Sequence, residues 1–396
     1  MEVKVSMRKI LLSTMLLFFI LCGGLFTATF SAVSASDDVV EDSWNTKTPM
    51  NYPRDSFGIV SVDGKIYAIG GNQMDPGVSS QQVAFNERYD PKTNKWTILE
   101  PMPTPSAMFS TVAYDGKIYC IGRGLTQVYD IATNCWSTKS EYPVDTSLGN
   151  RAPAPLGAHI VDGKIFVILK SLQPSDGCEM YVYDHVTDSW VAKNSLPIDA
   201  LVTSSFMLDS KLMIFGVFGT PTDIIGPKIF AYNTNTDKWS EWQTPSKGIT
   251  QNAVVTSGLY APQKIYTVFT FSIADLSLHT EAYDPVSDTC TNGAGVPTTR
   301  MSPGVVVVDD VLYVIGGVYQ GTSLSVNEQY IPFGYHGTLP SRSYFSLDTI
   351  ELIDVLFVVV IIVFVVVIAL LFFFKKNNKQ TTKNKPVVTS NPSEVI

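Results

Sequence analysis

A tyrosine followed seven residues later by a tryptophan recurs along this chain, and this repeat constrains the fold more than any other feature. The complete copies are Tyr89 to Trp96, Tyr129 to Trp136, Tyr183 to Trp190 and Tyr232 to Trp239, and in a fifth copy Cys290 follows Tyr283. A repeat of this kind indicates a modular architecture, because one unit cannot bury its apolar face alone. The units are therefore expected to pack against one another in series.

A second pattern has the same rhythm and indicates the structure within each unit. A lysine after a short turn marks five units and a valine marks the sixth, at a mean spacing of about 49 residues: Lys65, Lys117, Lys164, Lys211, Lys264 and Val311. In the first unit, residues 57–62 are mostly apolar, Asp63-Gly64 provides a turn, and residues 65–69 alternate between polar and apolar. Two further runs, 87–89 and 95–98, flank a second turn. Each unit therefore predicts four short antiparallel strands joined by tight turns.

The last copy of the repeat indicates how the series of units closes. The tyrosine recurs at Tyr330, but no tryptophan follows it at the expected place. The missing tryptophan is instead Trp44, which precedes the first lysine unit. We expect the segment Ser43-Trp44-Asn45 to supply the fourth strand of the last unit, because this closes a ring and removes two exposed sheet edges.

Four segments resemble the kelch repeat: residues 62–71 (VDGKIYAIGG), 88–96 (RYDPKTNKW), 101–103 (PMP) and 311–317 (VLYVIGG). The resemblance runs from about Trp44 to Tyr330. It implies an all-β fold, a six-bladed kelch β-propeller closed by an N-terminal strand in the last blade. Units three to five lack the double glycine found at Gly70-Gly71, so we expect these blades to be less regular.

The C-terminal region predicts one transmembrane helix. Residues 355–374 are an uninterrupted apolar run of twenty, which as a helix spans about 30 Å, the thickness of the hydrocarbon core of a bilayer. Five lysines follow this run, whereas Glu351 and Asp354 precede it. By the positive-inside rule, the short basic tail of residues 375–396 is expected in the cytoplasm and the preceding chain outside the cell.

The N-terminal residues 1–35 predict a signal peptide. They begin with basic residues, continue with an apolar stretch from Ile10 to about Phe30, and end in Val33-Ser34-Ala35, which has small residues at the cleavage positions. The apolar stretch is long for a signal, so an uncleaved signal anchor is the alternative. Both interpretations place the propeller, residues 36–336, and a linker, residues 337–354, outside the cell.

Charge and the pattern of ligand residues exclude several functions. Residues 36–354 contain 20 basic and 34 acidic residues, a net charge of −14, and such a surface repels phosphate backbones, so no nucleic-acid partner is expected. The histidines and cysteines show no metal-ligand spacing, and we expect no metal or other cofactor. In an oxidising compartment the cysteines allow either a Cys135–Cys178 disulfide or free thiols.

The connections between strands differ between the two ends of the predicted ring. In a four-stranded blade the 1–2 and 3–4 turns lie at one end, here called the turn face, and the 2–3 and 4–1 connections lie at the other, here called the variable face. The tyrosine-to-tryptophan interval across the 3–4 turn is seven residues in each complete copy, whereas the 2–3 and 4–1 intervals vary. We therefore assign the length variation to the variable face and expect binding there. Because the chain leaves the ring after the third strand of the last blade, the turn face is expected to look toward the membrane.

The resemblance also suggests residues for a binding rim on the variable face. Kelch domains that bind peptides use residues just after a Pro-Arg in the 4–1 connection; Arg54 and Arg300 match that arginine, and Ser106 occupies the position in unit two. The predicted rim consists of Arg54, Asp55, Ser106, Arg151, Arg300 and Ser302. For the two matching arginines, which lie in neighbouring connections of the closed ring, two interpretations stay open. They form a shared anion-binding patch, or they hold neighbouring blades together.

These observations predict a single-pass cell-membrane protein whose propeller binds or adheres to an extracellular protein or glycan. No catalytic residues are predicted, because the sequence has no nucleophile elbow, phosphate loop or metal cluster. The alternative is a carbohydrate-active enzyme with a site in the propeller channel, since secreted six-bladed sialic-acid mutarotases resemble this chain in length, signal and blade number. Such an enzyme would need a carboxylate and arginines in the channel, and Arg54, Arg300 and Glu281 are too weak a constellation to claim such a site.

Overall fold

The computed structural model describes residues 39–122, 124–143, 154–170, 178–196, 200–220, 223–243, 253–272 and 277–339. Within these ranges the chain folds into six four-stranded antiparallel sheets, the blades, and two small hairpins. None of the described residues belongs to a helix long and apolar enough to cross a bilayer. The predicted signal peptide, transmembrane helix and cytoplasmic tail lie outside the described residues.

Blades 1 to 3 follow one another along the chain, after a first strand β1 (Ser43–Lys47) that belongs elsewhere. Blade 1 consists of β2 (Gly58–Val62), β3 (Lys65–Ile69), β6 (Asn86–Asp90) and β7 (Lys95–Ile98), with a small hairpin of β4 (Asn72–Gln73) and β5 (Gln81–Gln82) in its 2–3 connection. Blade 2 consists of β8 (Ser110–Tyr114), β9 (Lys117–Gly122), β10 (Leu125–Asp130) and β11 (Cys135–Lys139). Blade 3 consists of β12 (Ala154–Val161), β13 (Lys164–Lys170), β14 (Cys178–Asp184) and β15 (Ser189–Leu196).

Blades 4 to 6 complete the ring. Blade 4 consists of β16 (Ala200–Leu208), β17 (Lys211–Thr220), β18 (Asp223–Asn233) and β19 (Lys238–Gln243). Blade 5 consists of β20 (Ala253–Val255), β21 (Ile265–Ser272), β22 (Ser277–Asp284) and β23 (Thr289–Gly295). Blade 6 consists of β24 (Gly304–Val308), β25 (Val311–Ile315), β28 (Asn327–Ile331) and β1, with a second small hairpin of β26 (Val318–Tyr319) and β27 (Thr322–Ser323).

The first strands of the blades meet around a central channel. β2 contacts β8, β8 contacts β12, β12 contacts β16, β16 contacts β20, β20 contacts β24, and β24 contacts β2. This closed cycle confirms the predicted six-bladed propeller. Six clusters of buried apolar side chains lie mainly between neighbouring sheets, so the core of this fold is distributed over the seams between blades.

The N-terminal strand closes the ring, as predicted. β1 pairs antiparallel with β28, and Trp44 stands directly opposite Tyr330 with the ring centroids 5.1 Å apart. Ring closure converts the free edge of β28 into a paired one and gives blade 6 its fourth strand. The first and last described parts of the propeller are thereby joined through a complete ladder of five residue pairs.

The seven-residue interval has a physical cause, which is a clamp between neighbouring blades. In each 3–4 turn an Asp or Asn at positive φ accepts a hydrogen bond from the tyrosine of its own blade, as Asn94 does from Tyr89 at 2.7 Å. The same Asn94 oxygen also accepts the N–H of Thr48 at 2.9 Å, and Trp96 donates its indole N–H to the Thr48 carbonyl at 2.8 Å. Thr48 follows the outer strand of blade 6, so one turn of blade 1 holds the preceding blade.

The clamp recurs around the ring with either an amide or a carboxylate. Asn134, Asp188 and Asp237 repeat it in blades 2, 3 and 4. At the closure Asp42 takes this role, because it accepts the Tyr330 hydroxyl at 2.8 Å and the N–H of Ala294 at 2.6 Å. The N-terminal segment thus supplies both the missing strand and the missing clamp.

The double glycines allow close approach between blades 6, 1 and 2. Gly71 has φ of 107° and donates its N–H to the Ser106 carbonyl of the next connection at 2.8 Å. Gly317 has φ of 106° and donates to the Arg54 carbonyl in the same way at 3.0 Å. A Cβ on the preceding glycine of either pair would lie 2.6 Å or less from a backbone oxygen of the next blade, the contacts being Gly70 with Ser106 and Gly316 with Arg54.

One sequence interpretation of the faces is wrong. Length variation is not confined to the variable face, because the residues that lengthen the interval from Trp239 to Lys264 lie in the 1–2 connection of blade 5, residues 256–264, on the turn face. The other 1–2 turns are two residues long, as at Asp63-Gly64, where both residues have positive φ. Length variation therefore occurs on both faces, and the turn face is not uniform.

The inserted loop of blade 5 is held by a carboxylate of blade 6. Asp310 accepts backbone N–H groups of Ser257, Tyr260 and Ala261, the last two at 2.7 and 3.1 Å. Burial is the largest single influence on the pKa of Asp310 and raises it. The hydrogen bonds from the loop together outweigh burial, so the pKa of Asp310 is lowered from its usual value. The loop in turn accepts the N–H of His336 on the Tyr260 carbonyl at 2.8 Å, so it supports the segment that follows β28.

The four cysteines in the described ranges, Cys120, Cys135, Cys178 and Cys290, form no disulfide bond with one another. Cys178 is buried and Cys135 is exposed, so the disulfide option between them is not realised in this structure. Cys290 stands opposite Tyr283, in the register that tryptophan occupies in the other blades.

Candidate functional site at the channel mouth

The described part of the channel mouth on the variable face is formed by three neighbouring 4–1 connections, which lead into blades 6, 1 and 2. Ser56 donates its backbone N–H to the Ser302 carbonyl at 3.1 Å, and Met108 donates to the Ser56 carbonyl at 2.9 Å. We call Ser56, Met108, Met301 and Ser302 the mouth arc. Because its hydrogen bonds join three blades through the backbone, the arc is a rigid support for the side chains above it.

The mouth arc has an uncommon backbone conformation. Ser56, Met108 and Ser302 have φ of 53°, 56° and 50°, in the left-handed region that residues other than glycine rarely adopt. Strain of this kind costs of order 1–3 kcal/mol per residue and persists where the surroundings hold it, often at functional sites. Here the hydrogen bonds between blades stabilise the strained backbone. As a result, Ser302, Ser56 and Met108 occupy equivalent positions at the mouth in blades 6, 1 and 2.

Arg54 is buried beside the mouth and does not face solvent. Its guanidinium forms an ion pair with Glu87, in which Nη1 binds Oε2, and Nη2 donates to the Ala68 carbonyl at 2.9 Å. Glu87 uses its other oxygen to accept the backbone N–H and side-chain amide of Asn51, at 3.0 and 2.6 Å. Arg54 therefore links the 4–1 connection that leads into blade 1 to the second and third strands of that blade, β3 and β6.

Arg300 repeats this arrangement in blade 6. Nη1 lies 2.6 Å from Glu328 Oε2, and Nη2 donates to the Val314 carbonyl at 2.9 Å. Glu328 also accepts the hydroxyl of Thr298 at 2.6 Å. Burial lowers the pKa of both arginines, and the neighbouring glutamate opposes the shift, so each guanidinium stays charged and compensated inside its own blade.

Blade 2 has a neutral version of the same contact. Ser106 occupies the arginine position, and Gln127 occupies the position of Glu87. The Gln127 amide accepts the N–H of Thr104 at 2.9 Å and donates to its carbonyl at 3.0 Å. Arginine and carboxylate are thus both absent from this blade, as expected if each is present only to compensate the other.

The structure separates the predicted rim residues into different environments. Arg54 and Arg300 do not form a shared patch, because each guanidinium is buried and paired with its own glutamate. Neither guanidinium is exposed to an anion in solvent. Asp55 is buried and accepts the hydroxyls of Ser56 at 2.8 Å and Ser323 at 3.3 Å. The ion pairs and carbonyl hydrogen bonds of both arginines also stay within one blade, so these contacts do not include the link between neighbouring blades that the other interpretation expects.

The other three predicted residues lie in different places. Ser302 is exposed in the mouth arc, and Ser106 is half-buried, with its carbonyl bonded to Gly71. Arg151 lies outside the described residues. A role of these residues in ligand binding stays a prediction.

Sequence reasoning missed the apolar side chains of the mouth. Met108 and Met301 are 57% and 69% exposed, and Tyr319 in the small hairpin of blade 6 is 46% exposed. Met301 exchanges two backbone hydrogen bonds with Val318, at 2.8 and 2.9 Å, which places Tyr319 beside the arc. Aligning the units would have placed Ser56, Met108 and Ser302 at one position, but the exposure of the methionines follows only from the fold.

Below the mouth is a channel cavity of about 610 Å³. Its walls are the first strands, and Phe57, Phe109 and Pro303 lie at the level just below the arc. The described lining contains one titratable side chain, His159, whose Nε2 lies 2.8 Å from Ser205 Oγ across the seam of blades 3 and 4. Burial lowers the pKa of His159 to about 4, so the imidazole is neutral at pH 7.

The described residues offer no ligand set for a metal. No group of three or more His, Cys, Asp or Glu side chains in the described ranges is arranged around a common point. The polar groups of the channel are hydroxyls and one imidazole, which suit hydrogen bonding rather than coordination.

Comparison with known proteins agrees with this geometry. A family model described as "Kelch motif" matches residues 53–103 and 299–332, which are the regular blades 1 and 6 with the ion pairs and double glycines. Kelch-like protein 15 of Danio rerio is 26% identical over 255 residues, which cover 58% of this chain and 40% of that protein. "Kelch repeat and BTB domain-containing protein 1" of cowpox virus is 25% identical over 247 residues, covering 57% of this chain and 43% of that one. The chain thus spans less than half the length of these curated relatives.

Among solved structures, one described as "Structure of YjhT" matches 71% of this chain and 96% of that chain, with 13% identity and a TM-score of 0.49.

Proposed function

Because this chain belongs to the kelch-repeat β-propeller family, we propose that it is a binding module whose variable face engages a partner protein. The observation that carries this proposal is the mouth arc, where exposed apolar side chains stand on a backbone held by hydrogen bonds between three blades. A preformed surface with exposed Met and Tyr side chains is suited to association, because little ordering is needed when a partner binds.

The proposed setting is the outer surface of a cell, with an extracellular protein or glycan as the partner. This rests on the predicted signal peptide and on the predicted spanning segment of residues 355–374. Two described contacts support the proposed orientation. Glu41 accepts the N–H of Gly334, and Val39 and Leu339 pack against one apolar cluster, so the chain enters and leaves the propeller close together. A membrane attachment at either end would then leave the variable face accessible.

The carbohydrate-enzyme alternative has less support. Protonation or binding of a sugar acid in the channel would call for a carboxylate or a cation in its wall. The described lining provides hydroxyls and the neutral His159, while Arg54 and Arg300 are committed to their glutamates. We therefore propose binding and no catalytic activity.

A site-specific photo-crosslinking experiment tests the proposal. The full chain is displayed on cells with a photoreactive residue at position 108, on the variable face, or at position 286, in the 3–4 turn of blade 5. Val286 is a matched control because it is 94% exposed and lies on the turn face. After incubation with surface and secreted proteins of the source organism, we expect a discrete crosslinked product at position 108 and none at position 286. Equal yields of crosslinked product from the two positions would contradict binding by the variable face. If the protein gives no crosslinked product but binds to a glycan array, the partner is a carbohydrate and not a protein.

A further inference from the structure

Resting on the proposed binding function, we infer that the channel mouth takes an apolar segment of a partner flanked by basic residues, and that it does not take an acidic segment. This assigns a chemical class to the partner. The inference depends on where the charges of the mouth lie, on which side chains are exposed, and on how rigidly they are held.

Within the described part of the mouth, the basic groups of the 4–1 connections are not available to a ligand. The two arginines in the 4–1 connections, Arg54 and Arg300, have side chains with no solvent exposure, and each is paired with a buried glutamate. Reaching either guanidinium with an outside carboxylate would break a buried ion pair, and such a step leaves an uncompensated charge. The third connection has Ser106 at this position. Selection of an acidic segment by these residues is therefore disfavoured.

On the mouth arc and the adjoining hairpin of blade 6, which are the described parts of the mouth, the side chains that face solvent are apolar or uncharged. Met108 and Met301 project from the arc, with Tyr319 beside them, and Ser56 and Ser302 lie between. Methionine side chains adapt their shape to a partner, and exposed ones are frequent at surfaces that bind apolar segments. Since Phe57 and Phe109 line the cavity just below, an inserted apolar side chain would meet further apolar surface.

The surface is held in place from the side by the two small hairpins. In blade 1 the residue after β4, Met74, accepts the N–H of Ser323 on its carbonyl and donates its own N–H to the Ser323 hydroxyl, both at 2.9 Å. Ser323 belongs to the hairpin of blade 6, so the two hairpins brace each other across the seam where the ring closes. The methionines thus stand on a preformed platform, which favours affinity because the platform is ordered before binding.

Charge complementarity gives the flanking residues of the partner. Within the described 2–3 connections of blades 1 and 6, residues 70–85 and 316–326, the charged residue is Asp75, and it is exposed. The larger propeller and linker region, residues 36–354, has a net charge of −14. A second copy of this chain or an acidic partner is repelled by such a surface, whereas basic flanks are attracted. The occupant is therefore a separate, apolar and basic segment.

The test is a peptide selection on the full chain in lipid nanodiscs. A random peptide library is selected on the immobilised protein, and the Kd of each selected peptide is measured by fluorescence anisotropy. The variants are Met108→Gln/Met301→Gln, which keeps side-chain length, and Val286→Gln as the matched control on the turn face. We expect selected peptides with an apolar core and Lys or Arg flanks. Their Kd should rise at least about tenfold in the double variant, stay unchanged in the control, and rise with salt.

The outcomes separate this inference from the proposed function. Selection of acidic peptides whose binding is lost in the double variant would overturn the inference while keeping the variable face as the binding surface. Peptides whose binding is unaffected by the double variant would overturn the inference, and a missing crosslink at position 108 as well would overturn the proposed function. If sedimentation shows a dimer of the chain that the double variant dissociates, the occupant is a second copy and the inference is wrong.

Discussion

Two ion pairs of equal length but different burial provide a sharp test of how blade 6 is stabilised. Arg300 and Glu328 are 2.6 Å apart with side-chain exposures of 0% and 3%, whereas Lys65 and Asp90 are also 2.6 Å apart with exposures of 35% and 24%. Distance alone predicts equal contributions to stability. Burial predicts very different ones, because solvent screens the second pair.

The magnitude follows from the surroundings of Arg300. Charge centres about 4 Å apart attract by about 4 kcal/mol at an effective dielectric constant near 20, and by about 1 kcal/mol in water. Replacing Arg300 by Met leaves Glu328 buried without its counter-charge and removes the hydrogen bonds to the Thr298 and Val314 carbonyls. We expect Arg300→Met to lower the free energy of unfolding by about 3–5 kcal/mol. We expect Lys65→Met to lower it by less than about 1 kcal/mol.

A double variant completes the cycle. In Arg300→Met/Glu328→Leu both charges are removed together, and apolar replacement of a buried pair is often close to neutral. The double variant should therefore lose less stability than Arg300→Met alone, as the neutral Ser106 and Gln127 of blade 2 suggest.

The assay is urea unfolding of the compact unit Ser36–Pro340, followed by tryptophan fluorescence, with the free energy obtained by linear extrapolation. The reasoning is refuted if Arg300→Met costs no more than Lys65→Met. It is also refuted if the free energy lost in the double variant equals the sum of the losses in Arg300→Met and Glu328→Leu, since the effects of strongly coupled partners are not additive.

The remaining predictions concern the closure and the response to acid, each measured by urea unfolding. Asp42→Ala removes the acceptor of the Tyr330 hydroxyl and of a backbone N–H of blade 5, so the free energy of unfolding should fall by about 2–3 kcal/mol; an unchanged midpoint would mean that the clamp at the closure is dispensable. Burial lowers the pKa of His159 to about 4 from 6.5, so the stability from keeping it neutral is complete above pH 6.5 and is lost as the pH falls toward 4. His159→Gln should reduce the loss of stability over that window, and an identical pH profile would contradict this. The hydrogen bond from a tyrosine hydroxyl lowers the pKa of Asp188 below 3.8, so its contribution is present above that pH and is lost at lower pH. Asp188→Asn, which copies the acceptor at Asn94, should flatten the profile below pH 4, and a profile as steep as that of the parent would rule out this carboxylate as a source of acid sensitivity.

The fold could be predicted because its determinants are local and repeated. The tyrosine and tryptophan stand opposite each other on neighbouring strands, and their turn also holds the preceding blade, so their spacing is the same in every complete copy. Trp44 revealed the closing strand for the same reason. The expected irregularity of the middle blades corresponds to strands such as β17, which has ten residues where β3 has five.

The insertion in blade 5 and the environment of the mouth could not be predicted, because they depend on contacts between distant parts of the chain. An interval between two markers gives the number of inserted residues but not the turn in which they lie, and Asp310 of the next blade determines the path of the loop. In the same way, Arg54 matched a binding arginine by position. Its burial depends on Glu87, 33 residues later, which no local pattern associates with it.

The closing strand has a consequence for the order in which the protein is made. Of the strands in residues 39–339, β1 is the first to leave the ribosome, and β28, with which it pairs, is the last. At translation rates of about 5–20 residues per second, the 288 residues between Asp42 and Tyr330 take roughly 15–60 seconds to synthesise. Throughout that time Trp44 has no partner strand, and blades 1 to 5 accumulate as an open arc with one uncovered apolar sheet face at each end. The nascent propeller is thus most exposed to misassociation just before its last strand emerges, and the completion of blade 6 covers both faces at once.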